Sequence, residues 1–269
     1  MAVTPRAGAP ANYNKGLGQI VVAQSIYAQS DSPLHDIGDR LQLGNRVFYY
    51  AKAGGSALAA GFLCETAALA GGVSYNQTAC PIAVAAPAGA KQVYVTAISG
   101  TQTAGTFDGG WAVFDDDSPT PDDFYTMRIK TSGALTTSAG TTGYITLYDE
   151  LPIALTTSDH VELTANEYNA VVIANYSTPT SPVVGVPIIP VTTLYYFWLQ
   201  TYGPCGVFNN EGALTMGKQV VRSTATDGSV ESFAIANTTA SITMTDTIGY
   251  CMNIGTDAHS ATVFLKIAA

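Results

Sequence analysis

From residue 46 onward the chain alternates apolar and polar side chains in short runs, the two-residue period of strands that bury one face. Arg46-Val47-Phe48-Tyr49-Tyr50-Ala51-Lys52 is the first such run. Val93, Val95 and Ala97 fall opposite Tyr94, Thr96 and Ile98. Ile145 and Leu147 alternate with Tyr144, Thr146 and Tyr148, and Val161 and Leu163 with His160, Glu162 and Thr164. Ala170 to Ala174 is continuously apolar, as in a strand covered on both faces. Lys218–Ala225 and Ser229–Ala236 flank Asp227-Gly228, whose residues tolerate the positive φ of a tight hairpin. Ile242 and Met244 alternate with Thr243 and Thr245, and Val263, Leu265 and Ile267 with Thr262, Phe264 and Lys266. Only the small residues from Ala53 to Gly61 suggest a helical turn, closed by Gly61 as its C-cap. The pattern predicts an all-β protein, built of sandwich or barrel modules with little helix.

Residues 1–45 break this pattern. They contain Pro5, Pro10 and Pro33, several Gly and Gln, and one short apolar burst, Ile20-Val21-Val22-Ala23. Such a segment buries too little to fold alone and is expected to be an extended arm. The expected organisation is an arm over 1–45, a main β domain over 46–190 and a C-terminal β module over 191–269.

Composition narrows the function. Only 12% of residues are charged, the net charge is −9 and the isoelectric point is near 4.5. An acidic chain without a run of Lys or Arg has no electrostatic reason to approach nucleic acid or anionic lipid. The N-terminus lacks an apolar stretch behind a basic start, so no secretory leader is expected. Val183 to Leu199 is the most apolar segment, yet Pro187, Pro190, Thr192 and Thr193 suit sheet edges better than a membrane span. No membrane association is expected.

Candidate chemistry is sparse. Cys64, Cys80, Cys205 and Cys251 are far apart and lack zinc-ligand spacing, which points to buried free thiols, with a Cys205–Cys251 contact left open. The N-x-S/T triplets at Asn76, Asn175 and Asn237 carry no meaning without secretion. Asp115-Asp116-Asp117 and Asp122-Asp123 form the densest charge, but they match no calcium-loop spacing and are read as a proline-braced turn. His35 beside Asp36, His160 beside Asp159 and His259 near Asp257 invite comparison with catalytic dyads, but no nucleophile motif accompanies them. Gly16-Leu17-Gly18 follows no strand and opens no helix, so it fails as a dinucleotide fingerprint. No pair among the acids is singled out for glycoside chemistry. No enzyme, cofactor or metal is expected.

The order of short motifs resembles the head decoration, or auxiliary capsid, proteins of tailed bacteriophages. The likeness is carried by Leu43-Gly44-Asn45-Arg46-Val47-Phe48-Tyr49-Tyr50-Ala51 running into Ala57-Leu58-Ala59-Ala60-Gly61, then Gly109-Gly110-Trp111-Ala112-Val113 and Tyr125-Thr126-Met127-Arg128-Ile129. Tyr144 to Leu151, Val184-Gly185-Val186, Tyr195 to Gly203 and Ile248-Gly249-Tyr250 complete it, over most of residues 40–269. The resemblance implies a virion protein on the capsid exterior, made in the host cytoplasm. Its implied partners are the major capsid protein and further copies of itself, as a homotrimer or other oligomer. It brings no active site. The arm is expected to supply a strand to a neighbour's sheet edge through Ile20, Val21, Val22 and Ala23. Two alternatives stay open. One is another phage structural part, such as a tail, collar or head-fibre component. The other is a carbohydrate-binding or adhesive module using Trp111, Trp198 and the many tyrosines.

Overall fold

The computed structural model describes residues 24–67, 75–115, 124–137, 143–177, 181–210, 212–233, 247–255 and 259–269. Its strands are β1 (Arg40–Leu43), β2 (Arg46–Lys52), β3 (Cys64–Thr66), β4 (Asn76–Val84), β5 (Gln92–Val95), β6 (Trp111–Asp115), β7 (Phe124–Ser132) and β8 (Tyr144–Leu147). The series continues with β9 (His160–Thr164), β10 (Val171–Ile173), β11 (Val183–Pro187), β12 (Tyr196–Asn209), β13 (Gln219–Arg222), β14 (Val230–Ser232), β15 (Thr247–Asn253) and β16 (His259–Lys266). The protein is all-β, as the alternation predicts. Residues 53–61 form bends and a turn, not the expected helical turn. Ala53 bridges Val171 and Leu58 bridges Val191, so these backbone groups are satisfied by sheet neighbours. No helix among the described residues is long and apolar enough to cross a membrane, and Val183–Leu199 supplies β11 and the start of β12.

Strands β4-β5-β8-β7-β6-β9 close into a barrel. Its interior includes the positions the alternation assigns inward, Val93, Val95, Ala97, Ile145, Leu147, Val161 and Leu163, and also Ala112, Phe114, Met127 and Ile129, which that reading did not cover. The other strands form one ten-stranded curled sheet in the order β10-β3-β11-β12-β16-β15-β13-β14, with β2 joining at β12 and β1 pairing with β2. The chain leaves this sheet at β3 and returns at β10, which pairs with β3 (Val172 opposite Glu65), so the barrel is an insertion between adjacent strands. Tyr196–Tyr202 pairs with β2, so residues on both sides of the expected boundary at 190/191 share a sheet.

Strand β12 passes between three cores. An extra residue between Gln200 and Tyr202 interrupts its pairing with β2. Such a bulge reverses which side of a strand the odd positions face. Before it, Phe197 and Leu199 enter one core while Trp198 enters another; after it, Cys205 and Val207 enter the core inside the curled sheet.

The far ends of the curled sheet meet at a seam. The expected Asp227-Gly228 hairpin joins β13 to β14. Its tip receives a hydrogen bond from Leu63 N to Gly228 O (2.8 Å), and Gly228 N donates to Ala174 O (2.9 Å). Behind it, Arg222 Nη1 lies 2.8 Å from Glu65 Oε2, both side chains almost fully buried, and Arg222 also donates to Asn175 O and Ser181 O. This pair ties β13 to β3.

Candidate interaction surfaces

The described part of the expected arm, residues 24–45, is packed on the sheet module. The reason is a polar node that hydrophobic periodicity does not register. Gln24 is buried; its Nε2 donates to Ala28 O (2.8 Å) and Tyr196 O (3.0 Å), and its Oε1 accepts from Tyr50 Oη (2.7 Å). Gln24 O accepts from Trp198 Nε1 (3.0 Å), and Tyr50 Oη accepts from Leu34 N (3.0 Å). Ser30 and Tyr196 exchange backbone bonds of 3.0 and 2.8 Å. Ile26 and Leu41 complete an apolar cluster with Phe48, Tyr50 and Trp198. Trp198 is 2% exposed, and burial raises the pKa of the Tyr50 phenol. Ile20, Val21, Val22 and Ala23, the expected interface segment, lie outside the described residues.

A second feature is on the face of β12, β16 and β15 opposite the inward-facing Cys205, Val207, Val263 and Leu265. Phe264 packs edge-on to Tyr202 and is stacked on Tyr250, each at 5.2 Å between centroids. Lys266 Nζ sits 5.1 Å from the Tyr250 ring centroid. Met252, exposed, follows Tyr250 on β15, and Ile254 is exposed just beyond. Gly217 N donates to Cys251 O (2.9 Å) and Cys251 N to Lys218 O (3.0 Å), which brings Met216, 61% exposed, to the same strand. The methionines are exposed and the aromatics half-buried, and both are residue types enriched where proteins meet. The alternation of 262–267 places Phe264 outward; the neighbours that turn it into a row come from pairing, which the alternation does not specify.

The barrel carries a third surface. Register sets Trp111 between Thr164 of β9 and Arg128 of β7, Val113 between Glu162 and Thr126, and Asp115 between His160 and Phe124. The inward partners of these strands fill the barrel, so the nine residues share its outer face. Trp111 is 47% and Phe124 63% exposed.

No protein-family model, curated protein or solved structure matches this chain. Its function is argued from these surfaces and from the chemistry its residues can perform.

That chemistry is restrained. The four cysteines are free and buried. Burial pushes the Cys80 thiol up to about 11 and Cys205 up to about 12, and raises Cys64 and Cys251 as well. A thiol held protonated is a poor nucleophile. His35 packs between Tyr50 (5.1 Å) and Trp198 (5.0 Å), with Asp39 at 4.0 Å and Asp36 exposed beside it. His160 stands opposite Asp115, and His259 lines a shallow depression with Gly61, Ile188, Gly206, Phe208 and Ser260. The three histidines thus sit at separate places. Among the described residues no group of three or more His, Cys, Asp or Glu side chains is placed to hold a metal ion. Asp115 ends β6; Asp116, Asp117, Asp122 and Asp123 lie outside the described residues, as do Gly16, Leu17 and Gly18.

Proposed function

We propose that this chain is a non-enzymatic structural protein of a tailed-bacteriophage virion, held on the outside of the head by the major capsid protein and by further copies of itself. Its motif order supports this reading, as do its all-β build, its low charge and its acidity. An acidic protein avoids non-specific capture by the packaged genome during assembly.

The observation that carries the reading is that one sheet module offers two separate means of attachment. One is the half-buried aromatic row around Phe264 with the exposed Met216 and Met252 beside it. The other is the fixed departure point of the N-terminal segment at Gln24. The twenty-three residues before it can span at most about 80 Å, enough to reach across a neighbouring subunit. Two weak contacts on one molecule hold tightly together, because the second forms at high effective concentration. A protein that resists separation of neighbouring shell subunits needs this arrangement more than it needs a large single interface.

The test uses empty heads that lack the protein. Full-length chain added to them should co-sediment, and sedimentation equilibrium of the free protein should give a multiple of the 28.0 kDa chain mass. Phe264→Glu and removal of residues 1–23 should each lower head occupancy at least tenfold while the β circular dichroism is kept. Absence of co-sedimentation, or enrichment on tails instead of heads, overturns the placement.

A further inference from the structure

We propose that residues 24–39 form a releasable clasp that fixes the barrel against the sheet module and couples the barrel's position to the N-terminal segment. The centre of the clasp is a turn from Asp36 to Asp39, closed by Asp39 N donating to Asp36 O (3.0 Å), with Gly38 at φ +87°. Ile37 faces both modules. Its side chain is buried in the sheet core with Ala51, Leu58, Phe197 and Leu199. Its carbonyl oxygen accepts from Arg128 Nη2 on β7 (3.3 Å) and from Asn166 Nδ2 on the connection to β10 (3.4 Å). Tyr148, just past β8, donates its hydroxyl to Asp36. The fit is close on both flanks: a Cβ on Gly109 would lie 2.6 Å from Ile37 O, and one on Gly38 2.7 Å from Asn166 Nδ2.

Tyr50 links this turn to the start of the described chain. Its backbone N donates to Asp39 O (2.8 Å) and its backbone O accepts from Gly38 N (2.9 Å). At the far end of its side chain, the hydroxyl donates to Gln24 Oε1 (2.7 Å) and accepts from Leu34 N (3.0 Å). One residue of β2 therefore holds Gln24 and the turn together, and displacing Gln24 loosens the post on which the turn rests. The segment is built to let go. Ile26 and Ile37 are its buried apolar side chains, while Asp31 to Leu34 and Asp36 are exposed. A stretch with few buried apolar contacts and an open backbone belongs to the part of a fold that opens first. The barrel core and the core inside the curled sheet are each enclosed by their own strands. Opening the clasp thus leaves both modules folded and removes the Arg128 and Tyr148 ties, so the barrel turns about the two places where the chain crosses between modules. A partner that draws the chain before Gln24 away opens the clasp, and closure of the clasp on the barrel opposes that draw by the same amount. The coupling belongs to the free chain, whatever the chain binds.

Spin labels on Gln92→Cys in β5 and Gln219→Cys in β13 report the distance between barrel and sheet module; the four native cysteines are buried and stay unlabelled in the folded protein. The full chain carrying only these labels should give one narrow distance distribution by pulsed electron paramagnetic resonance. Arg128→Ala with Tyr148→Phe, which cuts the clasp on the barrel side, should broaden it at least twofold. Gln24→Ala should do the same, although the Gln24 bonds to Ala28, Tyr196, Tyr50 and Trp198 all lie within the clasp and the sheet module. Tyr50→Phe removes the shared hydroxyl but keeps the ring; it should broaden the distribution likewise, and it decides the matter where Gln24→Ala alters the circular dichroism. Gln42→Ala on β1, which leaves these contacts in place, should keep the distribution narrow. Hydrogen exchange checks the coupling from the other side. In the Arg128 and Tyr148 double variant, peptides that carry Ala28, Ser30, Leu34 and Gly38 should exchange at least tenfold faster, while β6 and β7 keep their protection. A narrow distribution in both Gln24→Ala and Tyr50→Phe, or unchanged exchange at Ala28 and Ser30 in the double variant, overturns the coupling. A broad distribution in the labelled parent overturns the clasp itself. Neither measurement involves phage heads, so its failure is distinct from failure of the head-binding reading.

Discussion

At the scale of single residues, the polar groups decide how the molecule is closed. Glu65 and Arg222 form a buried pair across the seam, and breaking such a pair is costly because the remaining charge stays out of water. Glu65→Ala should therefore cost about 3–5 kcal/mol in urea unfolding. Joint replacement by Glu65→Leu and Arg222→Met should cost far less, since no buried charge is left over. A single mutant as stable as the double would refute the role given to the pair. Tyr148 supplies a pH-dependent counterpart. Its hydroxyl donates to Asp36, and burial together with that bond pushes the phenol from its ordinary 10.0 up to about 12. The folded protein therefore keeps a proton that the unfolded chain releases. The stabilisation is fully present below pH 10 and is lost as pH rises towards about 12. Thermal melts of Tyr148→Phe should fall less steeply with pH across that window than those of the parent. None of these partners is legible in the sequence: Glu65 and Arg222 are far apart in the chain, and Gln24 looks like any loop glutamine until Tyr50 and Trp198 close on it.

At the scale of strands, the sequence speaks more clearly. The residues expected to point inward from 93–97, 145–147 and 161–163 do line the barrel, because a two-residue period admits only two faces and only one can be apolar. The same rule fails at β12, where Phe197 to Thr201 are all buried, Phe197 and Leu199 in one core and Trp198 in another, and a bulge changes the phase. The Asp227-Gly228 turn is legible from its residue types, but its second role is not. Gly228 has φ +68°, and a Cβ there would come within 2.4 Å of the Phe62 ring. Gly89 has a similar φ of +84° with open space around it. Gly89→Ala should thus incur backbone strain alone, about 1 kcal/mol, whereas Gly228→Ala adds the clash at the seam and should lose about 2–4 kcal/mol. Equal denaturation midpoints for the two variants would show that the turn does not hold the seam.

At the scale of the whole molecule, connection order is what alternation leaves out. Strands read in sequence suggest neighbours in sequence, which is why the seven strands β4 to β10 look continuous with β2 and β3. Pairing instead sets β3 against β10 and lets β4–β9 close on themselves. A closed barrel has no free edge and encloses its own apolar core, two conditions for folding alone. Its described polar ties to the sheet module are few: Asn166 Nδ2 to Gly109 O (2.8 Å), Asn169 Nδ2 to Thr106 O (3.0 Å), Arg128 Nη2 to Ile37 O (3.3 Å) and the Tyr148–Asp36 bond. Residues 75–165 expressed alone should accordingly give a folded, cooperatively melting protein. Calorimetry of the full chain should show two transitions, one of them at the temperature of the isolated barrel. An unfolded fragment would mean that the barrel depends on the sheet module for its stability. The outer face that carries Trp111 would then have to be treated as part of one continuous body, because its geometry would exist only while β3 and β10 hold the ends of the insertion together.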